Sequence, residues 1–214
     1  MRLNKKYKPK LIQKNFLKKP LRKTNFLYKN NDRYLFPLEK KHILKLKEWR
    51  NTQMKILRQH ILLTDFSQER WYAHLKEDKS QTLFALMYCT SKKMKFIGYC
   101  GITNIDFKNR RGEISFLVNP TRVTKKEVYK KDFLAVLNML CKHGFEGLNL
   151  NKLFTETFEF RKEHIKILEK FSFRKEGELR EHYFCNGEYL NSFIHSILSS
   201  EWKLLKNKKY AMEK

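Results

Sequence analysis

By type and spacing, few residues in this chain offer chemistry of their own. The four cysteines, Cys89, Cys100, Cys141 and Cys185, are scattered, with no CxxC pair and no metal-ligand spacing. Most have core-like neighbours, so they read as buried free thiols of a reducing compartment. Cys141 falls on the apolar face of a helical stretch without a partner base, which makes it a poor nucleophile. The seven histidines form no zinc pattern, and no metal is expected. What stands out is charge. Lys and Arg number 47 against 22 acids, a net +25. Such a charge attracts anionic partners at long range: nucleic acid, an acidic membrane surface or a phosphorylated ligand. A lysine-rich proteome produces the same composition, so charge alone does not choose among these.

The elements that position any site must come from one core. A chain of 214 residues, 41% hydrophobic and with 17 phenylalanines, suits one globular domain. No apolar run approaches the ~20 residues of a membrane span. The basic residues at the start are not followed by the apolar stretch of a secretory signal. A soluble, cytoplasmic protein is expected, with an organelle matrix as the alternative. Residues 1–31 carry eleven Lys or Arg, no acid, and two prolines, Pro9 and Pro20. They read as a basic arm, solvated or bound to RNA or another polyanion. Residues 32–202 form the domain, and 203–214 a basic tail.

Apolar periodicity predicts helices over 38–51 and 67–75, the second capped by Ser67. Strands follow over 82–89, 96–105 and 112–118, with turns at 91–94 and 109–112. A long helix over 133–145, a strand over 152–158, a helix over 163–171 and strands near 180–184 and 192–198 complete the order. The class is α/β (α+β): one mixed, mostly antiparallel sheet with helices on both faces.

Six sequence words in this order carry a resemblance: LKEWRN (46–51) with FSQERWY (66–72), FIGYCGITNID (96–106), GEISFLVNP (112–120), ILEKFSFRKEGELR (167–180), NGEYLN (186–191) and ILSSEW (197–202). Over roughly 34–202 the chain resembles the GNAT family of N-acetyltransferases. Within it, the chain is similar to the bacterial branch that modifies ribosomal proteins, spermidine and nucleotide-linked aminosugars. The resemblance implies acetyl-CoA as co-substrate, no metal, and a small-molecule primary amine as acceptor. An aminosugar or nucleotide-linked aminosugar is slightly preferred to a protein N-terminus, and a polyamine least, since a +25 protein repels cations. The alternative is a catalytically inactive protein of this fold that binds RNA through its basic arm, for example in an organellar ribosome.

The resemblance also implies residues. The amides of Phe116, Leu117 and Val118 would meet the pantetheine arm where their strand splays from the next. The usual glycine-rich pyrophosphate loop should lie between Pro120 and Phe133, yet that stretch has no glycine. Arg122, Lys125, Lys126, Lys130 and Lys131 would replace shape with charge there; the alternative is a solvated lysine-rich loop. Arg161 stands where many members have Asn. Glu113 occupies the usual base position, with pairing to Arg110 or Arg111 as its other role, and Glu156 is a second candidate base. Leu168 fills the position of the usual tyrosine acid, so Tyr183 or Tyr189 would substitute. Arg50, Arg58 and His60 would contact a phosphorylated or carboxylated acceptor, or else form a wet basic surface.

Overall fold

The computed structural model describes residues 26–90 and 93–212. One eight-stranded sheet runs in the order β1-β2-β3-β4-β5-β6-β8-β7. Its strands are β1 (Tyr28–Asn30), β2 (Arg33–Pro37), β3 (Thr82–Thr90), β4 (Lys93–Asp106), β5 (Arg111–Val118), β6 (Lys152–Phe158), β7 (Arg174–Cys185) and β8 (Glu188–Leu198). The helices are α1 (Lys40–Thr52), α2 (Asp65–Leu75), α3 (Pro120–Val123), α4 (Lys126–Cys141), α5 (Lys162–Lys170) and α6 (Ser199–Met212). None of them is long and apolar enough to cross a membrane. The basic arm expected over 1–31 already contains β1, and 1–25 lie outside the described residues. The expected tail begins inside α6.

A large core joins one face of the sheet to α4, α5 and α6, through residues such as Ile102, Phe133, Leu153, Leu168 and Trp202. A smaller cluster of Leu46, Trp49, Tyr99 and Leu117 packs α1 onto the other face. The expected helices on both faces are therefore present. In α1, Ile43, Leu46 and Trp49 are buried as their spacing predicts. The cap of α2 is Thr64, not Ser67. Thr64 Oγ1 accepts from the Ser67 amide at 3.1 Å, and Ser67 Oγ accepts from the Thr64 amide at 2.9 Å. These two bonds make a reciprocal capping box.

Helix α4 begins at Lys126 rather than Phe133, so most of the expected loop is helical. Tyr129, Asp132, Phe133, Val136, Leu137 and Leu140 repeat at three- and four-residue intervals and are all buried. A π-turn over Lys142–Gly147 ends the run. Strands β7 and β8 form a hairpin across Asn186 and Gly187, at φ 55° and 88°. That dipeptide tolerates the left-handed backbone that such a turn needs.

Every pairing in the sheet is antiparallel except β5 with β6. That parallel ladder holds only three pairs, Arg111–Lys152, Gly112–Leu153 and Glu113–Phe154, and then opens. On its other side β5 stays paired with β4 as far as Val118 opposite Gly98. The Leu117 carbonyl lies where a Cβ on Gly98 would stand, so only glycine allows that close approach. The fork between β5 and β6 opens a gap lined by residues of both strands.

Candidate active site

A cavity of about 430 Å³ opens at the fork. Glu113, Ile114, Ser115 and Phe116 line it from β5, and Thr155, Glu156 and Phe158 from β6. Arg50, Leu57 and Arg58 form its outer wall, and Phe133, Arg161 and His164 close it toward α4 and α5. Glu113 belongs to the last β5–β6 pair and is 4% exposed. Its Oε2 accepts from Asn104 Nδ2 at 2.7 Å. Asn104 can aim there because β4 bulges between Thr103 and Asp106, placing Asn104 at φ 50°. Asparagine tolerates that region better than most residues do. Glu113 Oε1 accepts from the Arg58 guanidinium, whose Nη1 also donates to Glu156 Oε2 at 2.9 Å. One guanidinium thus bridges two carboxylates from neighbouring strands. The pairing of Glu113 with Arg110 or Arg111 does not form. Arg110 donates to Asn149 O and Oδ1 at 2.7 and 2.8 Å, and Arg111 lies 3.5 Å from Asp106.

A second cavity, about 670 Å³, runs between α4 and α5 and shares Ile56, Arg161 and His164 with the first. Its walls carry Lys126, Lys130, Lys162, Lys166 and Lys170 against Glu127 and Glu163. Among the described residues no side chain caps the N-terminus of α4, so its first-turn amides remain for a ligand. Where the cavities meet, the Tyr129 oxygen accepts from Arg161 Nη2 at 2.9 Å and lies 2.7 Å from His164 Nδ1. With Arg161 donating to that oxygen, the hydroxyl proton points to Nδ1 and leaves the imidazole proton on Nε2. Burial raises the pKa of Tyr129, so the hydroxyl keeps its proton. Burial, followed by the Arg161 charge and His195, pushes His164 well below the ordinary histidine range, so it is neutral.

The other expected residues divide. Phe116 lines the first cavity and stacks on Phe133 at 4.8 Å. Leu117 and Val118 turn their side chains into the two cores, leaving only backbone for a ligand, and the Val118 carbonyl accepts from Gln53 Nε2 at 2.9 Å. Lys126 and Lys130 face the second cavity, whereas Lys125 and Lys131 are outside its lining. Arg122 is turned inward and bound to Asp132, which corrects its reading as a phosphate ligand. Arg161 stands at the junction. Arg50 reaches the first cavity, but its guanidinium donates to Gln59 Oε1 and Tyr99 Oη, both at 3.0 Å, and serves the wall. His60 is exposed and outside both linings. Tyr183 stacks on Phe158 at 4.0 Å and donates to the Lys55 carbonyl at 3.4 Å, while Tyr189 is 65% exposed. Neither lines either of these two cavities, so the expected substitute acids are absent from their walls. Sequence reasoning missed Tyr129 and gave His164 no catalytic role. It also missed Lys162, Lys166 and Lys170, whose four-residue spacing on α5 was the available signal.

The sequence model for the acetyltransferase (GNAT) domain matches residues 38–194, and the chain belongs to that family. It is 31% identical over 107 residues to an uncharacterized N-acetyltransferase, p20, of Bacillus licheniformis, covering 50% of this chain and 57% of that one. Against the spermidine N(1)-acetyltransferase of Escherichia coli (strain K12) it is 28% identical over 125 residues, 58% and 62% of the two chains. The chain thus spans less than two thirds of the length of these curated relatives. Among solved structures, mutant forms of the spermidine/spermine N-acetyltransferase SpeG of Vibrio cholerae superpose with a TM-score of 0.71 at 20% identity. That alignment covers 83% of this chain and 99% of the other. The spermidine N-acetyltransferase of the same species in complex with CoA and spermine gives 0.67, also at 20% identity, over 81% and 99%. These superpositions establish the shared fold.

Proposed function

We propose that the protein transfers the acetyl group of acetyl-CoA to a primary amine. The observation that carries this reading is the placement of Glu113, a buried carboxylate at the fork of β5 and β6, in a cavity that meets a lysine-walled one. The pantetheine arm would lie along the open edge of β5, where backbone groups lack strand partners. Lys126 and Lys130, with the uncapped first turn of α4, would neutralise phosphates. Charge and a helix terminus thus take the place of the missing glycines. The acceptor arrives protonated, and Glu113 takes its proton directly or through water. The free amine attacks the thioester carbonyl, the C–N bond forms and the C–S bond breaks. The Tyr129–His164 pair gives a proton to the departing thiolate, and the second proton shed by the nitrogen as the amide forms restores the pair through water.

The acceptor side favours a cation. Arg50 and Arg58, the arginines expected to meet acceptor phosphate or carboxylate, are engaged with protein groups, and the cavity holds two carboxylates. This weakens the preference for a nucleotide-linked aminosugar and favours a compact amine, in line with the activity named for two of the similar proteins. The objection from net charge concerns the outer surface, whereas recognition is decided by carboxylates inside the cavity. An inactive RNA-binding protein, argued from the basic arm and tail and the missing glycines, is the less supported reading, since it gives no use to a buried carboxylate at the fork.

Calorimetric titration of acetyl-CoA, with 3′,5′-ADP and polyphosphate as controls, tests the first half. Thiol release with spermidine, an aminosugar phosphate and a short peptide tests the second. Saturable binding that depends on the pantetheine arm, followed by amine-dependent thiol release, is the expected result. Binding no tighter than that of polyphosphate overturns the proposal.

A further inference from the structure

We infer that Arg58 is a built-in occupant of the acceptor subsite. Its guanidinium fills the place between Glu113 and Glu156 that the acceptor's ammonium takes, and the acceptor must displace it. This rests on the acetyl-transfer reading above. Glu113 and Glu156 come from the two strands of the fork, and their side chains are 5% and 10% exposed. Two carboxylates so close and so dry repel each other unless a cation lies between them. A purely structural cation would be expected to be as buried and as fixed as they are. Arg58 is neither. It lies beyond the 3₁₀ turn Met54–Ile56, outside any helix or strand, and its side chain is 52% exposed.

The pairing is also incomplete. Among the described residues, buried Glu156 Oε1 has no hydrogen-bond donor, and His182 Nε2 stands 3.6 Å from it. One positive charge faces two negative ones, and one oxygen waits for a donor. An alkylammonium brings three donors on a single compact centre, whereas the planar guanidinium has committed its two Nη groups. Arg58 therefore acts as a selectivity element. A neutral nucleophile gains nothing by entering, while a primary ammonium exchanges with the guanidinium and releases it to solvent. Once there, the ammonium gives its proton to the carboxylate pair and the neutral amine attacks the thioester.

Methylguanidine is the probe, because it carries the Arg58 headgroup without the chain. It should bind the Arg58→Ala protein by calorimetry, fail to bind the unaltered protein, and lose affinity when Glu156→Gln is added. In steady-state assays with spermidine, Arg58→Ala should lower KM for the amine about five- to tenfold. Any change in kcat should be smaller, and KM for acetyl-CoA should stay the same. Methylguanidine should compete with spermidine in the variant. A rise in KM for spermidine would show that Arg58 itself holds the acceptor, and overturn the inference. So would a fall in kcat with KM unchanged, which would mark Arg58 as only a positioning residue for Glu113. Absence of methylguanidine binding to a variant that still binds acetyl-CoA also overturns it. Because the methylguanidine titration needs no turnover, failure of the acetyl-transfer reading is seen separately, as absence of pantetheine-dependent binding by the unaltered protein.

Discussion

Arg122 and Asp132 meet at two points, Nε to Oδ2 at 2.6 Å and Nη2 to Oδ1 at 2.8 Å. Asp132 is fully buried on α4 and also accepts from Arg33 Nε of β2 at 2.9 Å. Both guanidinium groups lie over the Tyr88 ring, at 5.0 and 4.9 Å. The hydrogen bonds that it donates to Asp132 raise the pKa of Arg122, which stays charged. The clamp fastens the α3 turn to α4 and to the sheet. Fixed charges thus shape the glycine-free connection between β5 and α4.

Asp132→Ala should cost about 3–5 kcal/mol, because it leaves two cations facing a buried void. Urea denaturation at pH 7 reads this loss. A change below about 1 kcal/mol would mean that the clamp behaves as a surface pair.

Lys126→Ala together with Lys130→Ala should weaken acetyl-CoA binding about tenfold or more, and flatten its dependence on salt. Lys131→Ala, outside the cavity lining, should change neither. Titrations at two ionic strengths separate the cases.

Glu113→Gln should lower kcat/KM by about 10²–10³ at neutral pH. The deficit should shrink as pH rises toward the acceptor's own pKa, since the amine then loses its proton without help. A deficit that is constant across pH would assign Glu113 to binding instead.

Tyr129→Phe removes the hydroxyl shared by Arg161 and His164. Single-turnover thiol release should slow by about 10²-fold, while acetyl-CoA binding changes little. The unpaired partners should cost about 1–3 kcal/mol of stability.

His143 ties β1 to β3, with Tyr28 Oη 2.9 Å from Nδ1 and Thr82 Oγ1 2.9 Å from Nε2. Burial lowers its pKa from 6.5 to about 4. Below pH 6.5 the unfolded chain binds a proton that the folded one refuses, so stability falls as pH drops from 6.5 toward 4. Between pH 7.5 and 5 the loss from this residue is about 2 kcal/mol. Denaturation of the unaltered protein and of His143→Gln at both pH values should show the difference.

The sequence made the antiparallel meander and the strand–helix–strand ending legible, because their apolar periods are unbroken. It also placed Glu113, through a motif whose spacing survives. The start of α4 was hidden because Asp132 interrupts an apolar stripe that otherwise runs from Tyr129 to Leu140. Its partners Arg33 and Arg122 are distant in sequence, and spacing says nothing about such pairings. Strands β1 and β2 were missed because they are short and follow a lysine-rich stretch. The roles of Tyr129 and His164 depend on α4 and α5 packing side by side, a relation no local pattern encodes.

The three residue pairs between β5 and β6 make the sheet two leaves stapled at one end. Five strands lie on one side of the staple and three on the other. A cofactor laid in the gap would supply the missing rungs and join the leaves along their length. Mechanical stiffness across the molecule would then be borrowed from a metabolite. With free cofactor a hundredfold above its Kd, the folded state gains about 2.7 kcal/mol. The lifetime of the chain against heat and proteases would thus follow the supply of its own co-substrate.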